Sequence, residues 1–123
     1  MNYYIASLKH TDRDDEHIAF WGRFHRGYTP VIGTYTGLYC YGEAVELNAG
    51  HDYIAVPAPV VELLLSPEPY YRPGGRFYDQ RGPVVTNTRT NWNALIAFSL
   101  THGRTHKPKP KPFPGQCRAI YTE

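Results

Sequence analysis

Six histidines are the first residues to weigh for chemistry, because imidazole titrates near neutrality and serves as general base, proton shuttle or metal ligand. His25 and His51 stand alone, while His10 and His17 flank the acidic run Thr11-Asp12-Arg13-Asp14-Asp15-Glu16. His102 and His106 have the four-residue interval that puts two imidazoles on one helix face for zinc, but Gly103 interrupts it and no acidic or cysteine partner stands at helical spacing. The acidic run offers carboxylates to a cation, yet it lacks the central glycine and late glutamate of a calcium-binding loop, and it reads as a solvated turn. There is no Gly-x-Ser-x-Gly, no phosphate-cradling glycine loop and no paired His-x-Thr or His-x-Ser. Cys40 sits beside tyrosines instead of cations. The expectation is a chain that is not an enzyme and takes no metal or cofactor. The enzyme alternative would need His10, His17 and an acidic partner to converge on one cleft.

Binding has more material. Residues 67–82, PEPYYRPGGRFYDQRG, form a loop longer than the roughly 4–6 residues usual in a compact domain. Its arginines and aromatics have the composition of interface hot spots, although loop aromatics also fold back onto cores. Further on, HKPKPKPFPG alternates lysine with proline, so it is expected to run as an extended polyproline II arm. The predicted partner-binding residues are therefore Tyr70, Tyr71, Arg72, Arg76, Tyr78, Arg104, Lys107, Lys109 and Lys111. Lysines that neutralise phosphates and tyrosines that stack on bases also make direct nucleic-acid binding the second reading.

The elements that would position these residues follow from pattern. Asn2–Lys9 and His17–Gly22 are rich in aromatic and β-branched residues and read as strands of an antiparallel hairpin. Arg23–Tyr28 reads as a turn with Gly27 as its permissive position, and Thr29–Gly33 as an edge piece because of Pro30. Gly33–Gly42 fits strand and loop, and Glu43–Leu47 fits either a helical turn or a strand. Tyr53–Val56 reads as a buried strand. Pro57–Leu65 reads as a helix with Val60, Val61, Leu64 and Leu65 on one face. Val84-Val85 reads as a short strand. Asn91–Leu100 is the best helix, with Trp92, Leu95, Ile96, Ser99 and Leu100 at helical spacing, a cap from Thr90 or a nearby Asn, and Gly103 as its stop. Cys117–Thr122 is able to return as an edge strand. The predicted fold is α+β: a single compact domain over 1–102, mainly antiparallel sheet with two principal helices, followed by a Pro/Lys-rich C-terminal arm over 103–123.

Composition sets the outer bounds. A chain of 123 residues builds one core, and its 11 tyrosines exceed the usual share, which suits half-buried sheet faces first and partner surfaces second. Residues 1–102 hold eight Lys or Arg against ten Asp or Glu, so the net charge of +2 comes from the basic arm. Cys40 and Cys117 fit no metal or redox spacing and are expected as free thiols. With no apolar stretch near the length of a membrane span and no leader pattern, a cytoplasmic location without membrane contact is expected.

Finally, Tyr3-Tyr4-Ile5-Ala6-Ser7-Leu8-Lys9-His10-Thr11, Phe20-Trp21-Gly22, Gly27-Tyr28, Ile54-Ala55-Val56-Pro57, Gly82-Pro83-Val84-Val85 and Asn91-Trp92 give the chain a likeness over much of residues 3–95. In these it resembles small uncharacterised phage- and prophage-encoded proteins. The resemblance implies an accessory factor of the kind that binds and disables a host machine, an anti-CRISPR-like inhibitor of a bacterial defence complex being one such class. It brings no catalytic residue, and it implies a host protein or ribonucleoprotein as partner.

Overall fold

Strand β1 (Tyr3–Ser7) is buried at every position, which requires both faces of its sheet to be covered. The computed structural model describes residues 2–12, 15–33, 35–48, 52–67 and 82–100, and within them β1 lies inside a four-stranded sheet. It pairs on one side with β2 (Ala19–Trp21) and on the other with β4 (Tyr53–Pro57), while β3 (Tyr28–Thr29) pairs with β2. The order is β3-β2-β1-β4 and every pair is antiparallel. The predicted hairpin is present in shorter form, with His17 and Gly22 making isolated bridges to Thr86 and Thr36.

The period of two along each strand sorts side chains into two layers. Tyr4, Ala6, Phe20, Ile54 and Val56 face the main core with Leu8, Ile18, Val85 and the helices α2 (Ala58–Leu63) and α3 (Arg89–Phe98). Tyr3, Ile5 and Ala55 face the opposite way, onto Tyr39 and Ala44 of helix α1 (Tyr41–Leu47). The fold is thus α+β with helices on both faces of the sheet. The segment that the sequence left open at Glu43–Leu47 is helix, and it supplies a third helix beyond the two expected.

Several boundaries differ from expectation. α2 stops at Leu63, and Leu65 leaves to bridge Val85. Of its predicted face Val61 is fully buried, while Val60, Leu64 and Leu65 pack against the core in part. α3 is capped by Thr88, whose Oγ1 accepts the Asn91 N–H at 3.2 Å, because Thr90 already lies inside the helix. Thr88→Ala is expected to cost about 1 kcal/mol in urea unfolding, the usual value of a lost N-cap. The helix ends at Phe98, well before Gly103: Ser99 turns extended, its N–H and hydroxyl both donate to the Ile96 carbonyl, and Leu100 N–H goes to Ala55 O at 3.0 Å.

The acidic turn is also more structured than expected. Thr11 is completely buried. Its hydroxyl donates to Ser7 O at 2.6 Å and accepts from Ala19 N at 2.9 Å, which ties the two strands together. Asn87 Nδ2 donates to the carbonyls of Asp12 and Asp15, at 3.1 and 2.8 Å, while its Oδ1 accepts the Trp92 indole N–H at 2.6 Å. One side chain therefore fixes the N-terminal turn to the last helix.

The sheet edges are closed by chemistry. On β4, Ala55 N–H is taken by Asn48 Oδ1 at 2.9 Å, Ala55 O by Leu100, and Pro57 has no N–H to offer. β3 has only two residues and is followed by Pro30. Such edges give another strand little to pair with.

Candidate functional site

The six residues Gly22-Arg23-Phe24-His25-Arg26-Gly27 connect β2 to β3, whose ends are registered by the pair Trp21↔Tyr28. Arg26 N–H closes on Arg23 O at 3.0 Å and Gly22 N–H on Gly27 O at 2.9 Å. This forces a tight 3-10 turn over Arg23–His25 in which Phe24 (φ 57°, ψ 33°) and His25 (φ 59°) both adopt the left-handed conformation. For residues with a Cβ that conformation costs about 1–2 kcal/mol each. It persists only where surrounding structure over-determines it, which singles such residues out as functional candidates. The sequence expectation of a turn with a permissive Gly27 holds, since Gly27 has φ 64°. The left-handed backbone at Phe24 and His25 has no counterpart in the sequence reading.

Tyr39 is what holds the turn. It is buried, and its backbone is locked to Tyr3 by reciprocal bonds of 2.8 and 2.9 Å. Its hydroxyl donates to Gly22 O at 2.5 Å and accepts the His25 N–H at 3.2 Å. Burial pushes the phenol upward from its ordinary pKa, outweighing the lowering effect of the His25 N–H bond, and the Glu43 charge adds to the rise, so the proton that bonds Gly22 stays in place at neutral pH. Gly37 N–H adds a bond of 3.0 Å to Trp21 O from the same neighbouring segment.

The His25 ring is fixed from three directions. It meets Trp21 edge-on with ring centroids 5.7 Å apart, lies 5.0 Å from the Tyr39 ring, and places Nε2 3.5 Å from Glu43 Oε2. The other oxygen of Glu43 accepts both the backbone N–H and the thiol of Cys40, each at 3.3 Å, at the start of α1. These Cys40 bonds, followed by His25, hold the Glu43 carboxyl below its usual range. The arrangement is therefore present above the ordinary carboxylate range and is lost as pH falls through the lowered pKa.

What the turn presents is apolar and basic. Phe24 is 78% exposed, and Arg23, His25 and Arg26 around it are also exposed. The backbone that carries these side chains is fixed by the turn's own hydrogen bonds and by Tyr39.

Beside it on the same sheet face lies a rack of half-buried rings. His10 stacks on Tyr28 at 4.0 Å and 23°, Ser7 Oγ lies 2.8 Å from His10 Nδ1, and Trp21 meets Tyr53 edge-on at 5.2 Å. Much of the tyrosine excess is therefore absorbed in sheet packing, as strand propensity implies. His17 forms its bridge with Thr86.

Tyr70, Tyr71, Arg72, Arg76, Tyr78, Arg104, Lys107, Lys109 and Lys111 all lie outside the described residues, as do His51, His102, His106 and Cys117. Among the described residues no group of three or more His, Cys, Asp or Glu is arranged to hold a metal ion. No described helix is long and apolar enough to cross a membrane. The turn itself was passed over in sequence because nothing local marks it except two arginines and an aromatic between glycines. No protein-family model, curated protein or solved structure matches the chain.

Proposed function

We propose that this chain is a non-enzymatic binding protein that docks on another protein by seating Phe24 in an apolar pocket while Arg23 and Arg26 meet an acidic rim. The observation that supports this most directly is the pre-set left-handed backbone that holds Phe24 78% exposed. A large aromatic flanked by arginines is the composition of an interface anchor, and rigidity lowers the ordering cost of binding. The loop over residues 67–82 and the basic arm stay candidates for partner contact from their composition alone. The partner class, a bacterial defence complex such as a CRISPR effector inhibited by a phage-encoded protein, comes from the sequence resemblance alone.

The test is a tagged pull-down of the full chain from bacterial lysate, with and without nuclease treatment, comparing wild type with Phe24→Ala. Loss of an anchor is expected to weaken capture by about 2 kcal/mol, roughly 30-fold, with the melting temperature unchanged because Phe24 contributes no core. Equal capture by both proteins rejects the Phe24 assignment. Recovery of nucleic acid alone, with steep salt dependence and loss on Lys107, Lys109 and Lys111 substitution, replaces the proposal with nucleic-acid binding through the arm.

A further inference from the structure

Helix α1 carries on its outer side a strip formed by Leu38, Tyr41 and Val45, which are 52%, 59% and 47% exposed. Tyr41 and Val45 are one helical turn apart, so with Leu38 just before the helix they form one ridge. Gly42 beside them has open space where a side chain would stand. The charges on this helix are of one sign: Glu43 and Glu46 are exposed, and Tyr41–Leu47 contains no Lys or Arg. An exposed apolar ridge in an acidic frame needs an occupant that is apolar and basic together.

The chain carries a segment of that composition, which begins next to Leu100. The described residues end at Leu100, which packs with Leu47 of α1 against the cluster of Tyr3, Ile5, Tyr39, Ala44 and Ala55. The following residues therefore set out from the layer that α1 occupies. They number 23 and carry Arg104, Lys107, Lys109, Lys111 and Arg118 against the single acid Glu123. From Leu100 to Phe113 is thirteen residues, about 40 Å at the polyproline II rise of 3.1 Å per residue. The seven residues of α1 span only about 10 Å, so reach is ample. Three residues per turn put Lys107, Pro110 and Phe113 on one face of such an arm. Proline-rich segments in this conformation dock against aromatic-lined surfaces at low entropic cost.

We propose that the chain's own arm, residues 103–118, packs over the outer face of α1, with Phe113 on Leu38, Tyr41 and Val45 and the arm's basic residues opposite Glu43 and Glu46. This contact does not involve Phe24, although it shares Glu43 with the His25 ring of the turn; the cross-link reads the arm's position and the Phe24→Ala capture reads the partner site, so the two proposals fail separately.

The two native cysteines report on it. Cys40 is exposed and immediately precedes α1, and Cys117 lies four residues beyond Phe113, about 12 Å along an extended arm. The full-length chain is treated at low concentration with a short bismaleimide and the products are separated by size and peptide mapping. Docking predicts a Cys40–Cys117 link within one chain. Its rate is expected to fall about tenfold in Phe113→Ala and in Val45→Lys, as the effective concentration of the tethered thiol drops, and to fall with added salt. Val45 is 47% exposed, and thermal unfolding checks that the fold is retained in both variants. A link forming at the same rate in both variants overturns the proposal, as does the absence of an internal link. Linkage only between two chains overturns it in favour of a second copy on this face.

Discussion

Replacing Trp92, the largest fully buried side chain among the described residues, by alanine is expected to lower the unfolding free energy by about 3–5 kcal/mol. Trp92 is 1% exposed and stands between α3 and the sheet in the main core, so its removal leaves a void that the neighbouring Leu95, Val61 and Ile18 fill only in part. Against a usual total stability of about 5–15 kcal/mol, that loss brings the domain close to unfolding at ambient temperature. Trp92→Phe separates packing from hydrogen bonding. It retains a ring but removes the indole N–H, leaving Asn87 Oδ1 without its 2.6 Å donor, at an expected cost of about 1–3 kcal/mol. Urea titrations of the three proteins measure both differences, and a Trp92→Phe midpoint equal to wild type would show that the Asn87 bond contributes nothing net.

Gly22→Ala is expected to weaken partner capture to the same extent as Phe24→Ala although every side chain of the turn remains. A Cβ at Gly22 would overlap the carbonyl oxygen of Arg26, and a clash with backbone has no rotamer to relieve it. The turn must open, and the bonds from Tyr39 to Gly22 O and from His25 N–H to Tyr39 are strained with it. The stability cost is expected at about 1–3 kcal/mol, the range for forced overpacking. The decisive comparison is binding by Gly22→Ala at a temperature where thermal melts show it fully folded. Wild-type affinity there would mean that Phe24 does not need its left-handed backbone, which contradicts pre-organisation as the basis of the site.

The parts of this fold visible in sequence are those set by local periodicity. The alternation in Tyr3–Ser7, the apolar run at Tyr53–Val56 and the helical spacing of Trp92, Leu95 and Ile96 each identify an element and its buried face. Boundaries were harder to read because they are settled by contacts remote in sequence. α3 ends early because Leu100 N–H finds Ala55 O, and its cap is Thr88 because Asn87 is held by the carbonyls of Asp12 and Asp15. α1 was ambiguous since only Ala44 of its seven residues is buried, too few for a helical pattern to register. The candidate site shows the same limit most sharply. A run of Arg-Phe-His-Arg carries no sign of left-handed backbone, which is imposed by a tyrosine 17 residues from Gly22 and 14 from His25.

The hydrogen bonds of Asn87 span 75 and 72 positions of the chain, and this has a consequence during biosynthesis. β1 is translated first, yet its partner β4 begins at Tyr53, and the side chain that secures the turn after β1 arrives only with residue 87. Contacts between distant positions form late because loop closure precedes any gain from them. At about 5–20 residues per second, Tyr3, Tyr4 and Ile5 stay uncovered for several seconds while the chain up to residue 87 is made. Those residues therefore form a segment that benefits from chaperone cover while the polypeptide is still on the ribosome.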